Sequence, residues 1–101
     1  MSDVKEKIEN LLSQNKTVLF MKGDASFPMC GFSARATAIL QELQIPFDTV
    51  NVLDDEEIRQ GIKEYGNWPT IPQLYVNKQL IGGSDIMMEM YQSGELQEAI
   101  K

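Results

Sequence analysis

The chain has no histidine and a single cysteine, Cys30, among its 101 residues. Without histidine, Cys/His dyads, Ser/His/Asp triads and most zinc sites are excluded. One cysteine excludes an internal disulfide and any C-x-x-C redox couple within one chain. Positive charge is also scarce. Lys and Arg number 9 against 15 Asp and Glu, for a formal net charge of −6, which argues against nucleic acid and anionic membrane surfaces as partners. No apolar run approaches the length of a membrane span. The start, Met1-Ser2-Asp3-Val4-Lys5, lacks the apolar stretch of a signal peptide and the arginines of a transit peptide, so the expected compartment is the reducing cytosol. A length of 101 residues with 43% hydrophobic content is expected to form one domain, residues 1–101, around a sufficient core.

What is present centres on Cys30-Gly31-Phe32-Ser33. The preceding loop, residues 23–29, contains Pro28. The following segment reads as helix over residues 31–43, with Phe32, Ala36, Ile39, Leu40 and Leu43 on one buried face. Cys30 therefore falls at or beside a helix N-terminus, where unpaired backbone N–H groups and the helix dipole favour an anion. A thiolate is such an anion, and reactive cysteines recur at such termini; the competing reading is a small buried hydrophobe. Lowering a cysteine pKa from about 8.5 to about 6 needs ~3.4 kcal/mol. A partly buried helix terminus supplies up to ~2 kcal/mol, so direct N–H bonds and a cation must supply the rest.

Along the chain, Ser2 or Asp3 is placed to cap a first helix, with Glu6 completing a capping box and Val4, Ile8, Leu11 and Leu12 as its apolar stripe. Thr17-Val18-Leu19-Phe20-Met21 reads as a strand buried on both faces. Residues 47–52 read as a second strand. Asp54 is placed to cap a third helix with Ile58, Ile62 and Tyr65 inward and Gly66 as the residue beyond its end. The acidic run Asp54-Asp55-Glu56-Glu57 suits a solvated helix start better than a metal site. Asn77-Lys78 reads as the turn of a hairpin between short strands at 73–76 and 79–81. Ser84 is placed to cap a helix through Tyr91, and a short helix follows over 95–101. This order predicts an α/β fold: a four-stranded mixed sheet flanked by helices on both faces, with a right-handed parallel crossover.

Lys22, the step of eight residues to Cys30, Cys30-Gly31-Phe32-Ser33, Trp68-Pro69-Thr70-Ile71-Pro72-Gln73 and Gly82-Gly83-Ser84-Asp85 together resemble a monothiol glutaredoxin of the CGFS type, over essentially the whole chain. The resemblance implies a thioredoxin-like fold and a groove for glutathione beside Cys30. It implies that Lys22 and Arg59 pair with carboxylates of the tripeptide. Ile71, before a cis Pro72, pairs with its cysteine residue through backbone groups. The N–H groups of Ser84 and Asp85 hold the γ-glutamyl carboxylate, and the Asp85 side chain meets the ammonium. Trp68 and Pro69 shape the groove wall. Met87, Met88 and Met90 are core and surface rather than a metal-binding cluster. Relatives often carry a second cysteine where this chain has Ser84, which removes any intramolecular disulfide switch.

Two functions are consistent with that resemblance. In one, Cys30 reduces protein–glutathione mixed disulfides by a monothiol route, since Ser33 stands where dithiol relatives have a second cysteine. In the other, the chain carries a [2Fe–2S] cluster, with Cys30 as the metal ligand. Such a cluster needs four thiolates; two chains supply two and two glutathiones the others. The expected carrier is thus a homodimer when loaded and a monomer when empty. A BolA-like protein is a candidate heteropartner, and iron–sulfur proteins awaiting a cluster are candidate recipients. The resemblance favours the carrier over an efficient reductase and implies at most weak oxidoreductase activity. A non-catalytic interaction module would leave Lys22, Pro72 and Asp85 together unexplained.

Overall fold

Five consecutive residues, Thr17–Met21, have no exposed side chain, and this strand, β1, lies inside the sheet. The computed structural model describes residues 2–100, the side chain of Ser2 excepted. The elements run α1 (Ser2–Gln14), β1 (Thr17–Met21), α2 (Gly31–Glu42), β2 (Asp48–Asn51), a 3-10 turn (Val52–Asp54), α3 (Glu56–Tyr65), β3 (Gln73–Val76), β4 (Gln79–Gly82), α4 (Ser84–Ser93) and α5 (Glu95–Ile100). The sheet order is β2-β1-β3-β4. β1 is parallel to β2 and antiparallel to β3, and β3 is antiparallel to β4. This is the four-stranded mixed sheet expected from the order of elements.

The alternation along β1 and β3 divides the core. Leu19, Met21, Leu74 and Val76 face Ala36, Ile39, Leu40, Met87, Leu96 and Ile100 of α2, α4 and α5. Val18, Phe20 and Tyr75 face Ile8, Leu12, Ile58 and Ile62 of α1 and α3. Each of the larger apolar side chains among these contributes ~1.5–3 kcal/mol when fully buried. Helices therefore cover both faces, and the apolar stripes read in α1 and α3 are the ones buried. Met87 is in the core, with Met88 and Met90 packed at its edge. Asn77 and Lys78 have φ of 52° and 67°, the paired left-handed conformations of a tight hairpin turn.

Several helix boundaries and one buried face differ from expectation, and α4 runs on to Ser93 rather than ending at Tyr91. The third helix is capped by Asp55, not Asp54: the Asp55 carboxylate accepts from Glu57 N–H (3.0 Å) and Ile58 N–H (3.3 Å). The cause lies upstream, where Asn51 Oδ1 accepts from Leu53 N–H at 2.9 Å. That bond starts the 3-10 turn, ends β2 at Asn51, and seats Val52 fully in the core. Beyond α3, Gly66 keeps a right-handed φ of −88° and the left-handed residue is Asn67, φ 50°. The cap of α4 is Gly83, with Ser84 the first helical residue, because the extended backbone of β4 continues through Gly83. Finally, Phe32 is 57% exposed while Ser33 is completely buried. In the first turn of α2 the inward place falls to Ser33. The side chain of Ser2 and the end of the last helix at Lys101 lie outside the described residues; Asp3, the alternative cap, stands within the first turn of α1 rather than before it.

One buried polar network supports the link between α3 and β3. Gln73, completely buried, donates from Nε2 to Trp68 O (3.0 Å) and Thr70 O (3.2 Å) and accepts from the Tyr75 hydroxyl (3.0 Å). A buried donor or acceptor left alone costs about 1–3 kcal/mol. Gln73→Leu leaves the buried Tyr75 hydroxyl without its partner and takes the donor from two part-buried carbonyls, and is expected to destabilise the chain by about 1–3 kcal/mol in urea unfolding. Tyr75→Phe, which leaves only the Gln73 carbonyl unpaired, is expected to cost about 1–2 kcal/mol.

Candidate functional site

Cys30 is the N-cap of α2, in extended backbone (φ −160°, ψ 142°), with its carbonyl accepting the first helical bond from Ala34 N–H at 2.9 Å. The loop before it is closed on itself. Met29 N–H donates to Lys22 O (2.9 Å), and Asp24 Oδ1 accepts from Ser26 N–H (2.9 Å) and Phe27 N–H (2.8 Å). Gly23 has a φ of 87°, and a Cβ there would lie 2.4 Å from Phe27 O, so no other residue fits this turn. Asn51 Oδ1 also accepts from Gly23 N–H at 3.0 Å and ties the loop to the end of β2. Lys22 N–H donates to the buried Ser33 hydroxyl at 3.1 Å, joining the end of β1 to the first turn of α2. These bonds return the chain so that Cys30 lies beside Lys22.

The thiol is partly exposed and its pKa lies below that of an ordinary cysteine. Burial pushes it up, but the Ser33 and Phe32 backbone N–H groups, the Ser33 hydroxyl and the Lys22 ammonium together outweigh that. The helix terminus and the neighbouring cation inferred from the sequence both contribute. The hydroxyl of Ser33 was not anticipated as a partner of the thiolate; its position in the first turn of α2 was the available signal.

Beside Cys30 opens a cleft of about 430 Å³, within the usual range for small-molecule sites. Lys22, Ile71, Ser84 and Asp85 all line it with Cys30, and Trp68, Pro69 and Pro72 form its wall. The Ile71–Pro72 peptide bond is cis. Five of the six residues singled out in the sequence are thus brought together. Arg59 is not among the lining residues. Its guanidinium lies 3.5 Å from Glu56 Oε1, and its Nε is buried without a partner. The cation of α3 that does line the cleft is Lys63, one turn further along the same face. At the α4 end, the first N–H to bond back along the helix is that of Met87, to Gly83 O at 2.9 Å. The N–H groups of Ser84 and Asp85 precede it, at the positive end of the helix dipole. The arrangement therefore offers a nucleophilic sulfur, cations at one end, and helix N–H groups with a carboxylate at the other. Phe27, Met29 and Phe32, all more than half exposed, bring apolar surface close to Cys30 in sequence.

Fold and site define a thioredoxin-like protein with one helix-capping thiol on a ligand-sized cleft. The Glutaredoxin family model matches residues 17–81, and the chain belongs to the glutaredoxin family, among its monothiol members. It is 58% identical over 99 residues to an uncharacterized monothiol glutaredoxin, ycf64-like, of Synechocystis sp., covering 98% of this chain and 92% of that one. Among solved structures, reduced apo GrxS14 from poplar superposes with a TM-score of 0.84 at 50% identity, over 94% of this chain and 87% of the other. The buckwheat glutaredoxin–glutathione complex superposes with a TM-score of 0.87 over 98% of this chain and 88% of its own; at 22% identity it shows the shared fold.

Because the thiolate is favoured by contacts present only in the folded chain, Cys30 ionises at lower pH than in the unfolded chain. This contributes stability above the unfolded pKa that is lost as pH falls through the folded one. Lys22→Gln removes one contributor, and Ser33→Ala removes another together with the acceptor of Lys22 N–H. Alkylation rate against pH is expected to show the Cys30 midpoint shifted upward in both. Unmoved midpoints would mean that the remaining N–H groups set the thiolate alone.

Proposed function

We propose that this chain binds glutathione in the cleft beside Cys30 and, as a glutathione-ligated homodimer, carries a [2Fe–2S] cluster as cargo to recipient proteins. The observation that carries this reading is a single favoured thiolate opening on a ligand-sized cleft, with no second thiol in the chain. A [2Fe–2S] cluster takes four thiolates, and a lone Cys30 meets that need only by joining a second copy and two external thiols. Glutathione suits the cleft chemically. Its glycine carboxylate finds Lys22 and Lys63, its cysteine lies along Ile71, and its γ-glutamyl carboxylate meets the N–H groups opening α4. The buckwheat protein is known as a glutathione complex, which supports the same ligand here. Arg59, on the same face of α3 as Lys63, adds positive charge toward that carboxylate without lining the cleft. A BolA-like protein replacing one protomer is a further partner in this reading, and a reducing compartment such as the cytosol is its setting.

A second reading rests on the same favoured thiolate. Cys30 Sγ attacks the glutathione sulfur of a protein–glutathione disulfide, releasing the protein thiolate and leaving a Cys30–glutathione disulfide. The thiolate of a second glutathione then attacks that bond, giving glutathione disulfide and free Cys30. Ser33 offers no sulfur to intervene.

Anaerobic reconstitution with iron, sulfide and glutathione distinguishes the two. The carrier reading expects a coloured dimer with visible charge-transfer absorption, absent from Cys30→Ser and absent without glutathione. A colourless monomer that rapidly reduces glutathionylated substrates would overturn it in favour of the oxidoreductase.

A further inference from the structure

Asp85 faces the cleft, but its carboxylate is also engaged from outside it. Arg35 Nη1 lies 3.3 Å from Asp85 Oδ1. Arg35 sits two residues past Ser33 on α2, is not among the residues lining the cleft, and reaches it only across the packed pair α2 and α4. Both side chains are well exposed, 45% and 82%, and so exposed a pair adds little to the stability of the fold. Its consequence is for whatever occupies the α4 end of the cleft.

Two opposite demands meet there. The N–H groups of Ser84 and Asp85 and the dipole of α4 attract a carboxylate. The Asp85 side chain repels that same carboxylate and attracts an ammonium. A guanidinium held on Asp85 cancels much of the repulsion and competes with the ammonium. We propose that Arg35 is a specificity-determining positioning residue that acts through Asp85, turning the α4 end of the cleft toward the carboxylate of an amino-acid ligand and away from its ammonium. The proposal rests on the reading that this cleft seats glutathione with its γ-glutamyl end at α4. It assigns a role in ligand choice to a side chain that does not line the cleft.

The test compares two ligands on the same protein, by calorimetric titration of the reduced chain: glutathione, and glutaryl-cysteinyl-glycine, which lacks only the α-ammonium. The ratio of their dissociation constants measures what the ammonium is worth, and a partial loss of folded protein cancels from it. In Arg35→Gln the ratio is expected to grow by about three- to sevenfold over wild type, the size of a charge–charge effect in a largely solvated site. Added salt is expected to narrow that gap, and Arg35→Lys to restore most of the wild-type ratio. In Asp85→Asn the ratio is expected to fall toward one, and adding Arg35→Gln to that variant is expected to leave it there. An equal ratio in wild type and Arg35→Gln, with glutathione still bound, overturns the role of Arg35 alone. Failure of the wild-type chain to bind glutathione overturns the underlying reading and the proposal with it.

Discussion

The bond from Lys22 N–H to the buried Ser33 hydroxyl is the constraint on which the site depends. It joins the end of a central strand to the first turn of a helix, and Cys30 lies between them. The bonds inside the loop and to Asn51 fix its course, and this tie sets that course against the helix. With it, the thiolate meets two backbone N–H groups, a hydroxyl and an ammonium at once. Burial alone would drive the same thiol the other way. The chemistry of the single cysteine is therefore set by how β1 and α2 are stitched together, and the two core layers exist on either side of that seam.

Much of the fold was legible from pattern. The unbroken apolar run of β1, the stripe of α1, the hairpin turn at Asn77-Lys78 and the crossover order each carry a local signal, and the sheet assembled from them as expected. What pattern did not resolve were choices between chemically similar neighbours. Asp54 and Asp55 are equally good caps; the choice was made by Asn51, through a bond to Leu53 N–H that starts an extra turn. Gly66 and Asn67 both tolerate a left-handed backbone, and the second took it. Phe32 looked inward by periodicity, yet the first turn of a helix still follows the course of its loop, and Ser33 occupied the core instead.

The site shows the same division. Cys30, Lys22, Ile71, Ser84 and Asp85 were each marked by a motif whose spacing survives folding. Arg59 and Lys63 share one face of α3 and the same charge, and nothing in a linear pattern says which of the two reaches across to β1. Tertiary placement brought Lys63 to the cleft and left Arg59 against Glu56. Arg35 carried no motif at all; its relation to Asp85 exists only because α2 and α4 lie side by side. Residues that act through a neighbour are the ones least visible before the elements are packed.

The network of Gln73 beneath the cleft wall has a consequence for how the thiol is to be interrogated. Its one ionisable member is Tyr75, whose pKa is pushed up to about 12, first by burial and then by Tyr65. Across the acid and neutral range the whole truss from Trp68 to Tyr75 stays uncharged, so acidity has no handle on it. A change in Cys30 reactivity between mildly acidic and neutral solution is then not a signal from this truss.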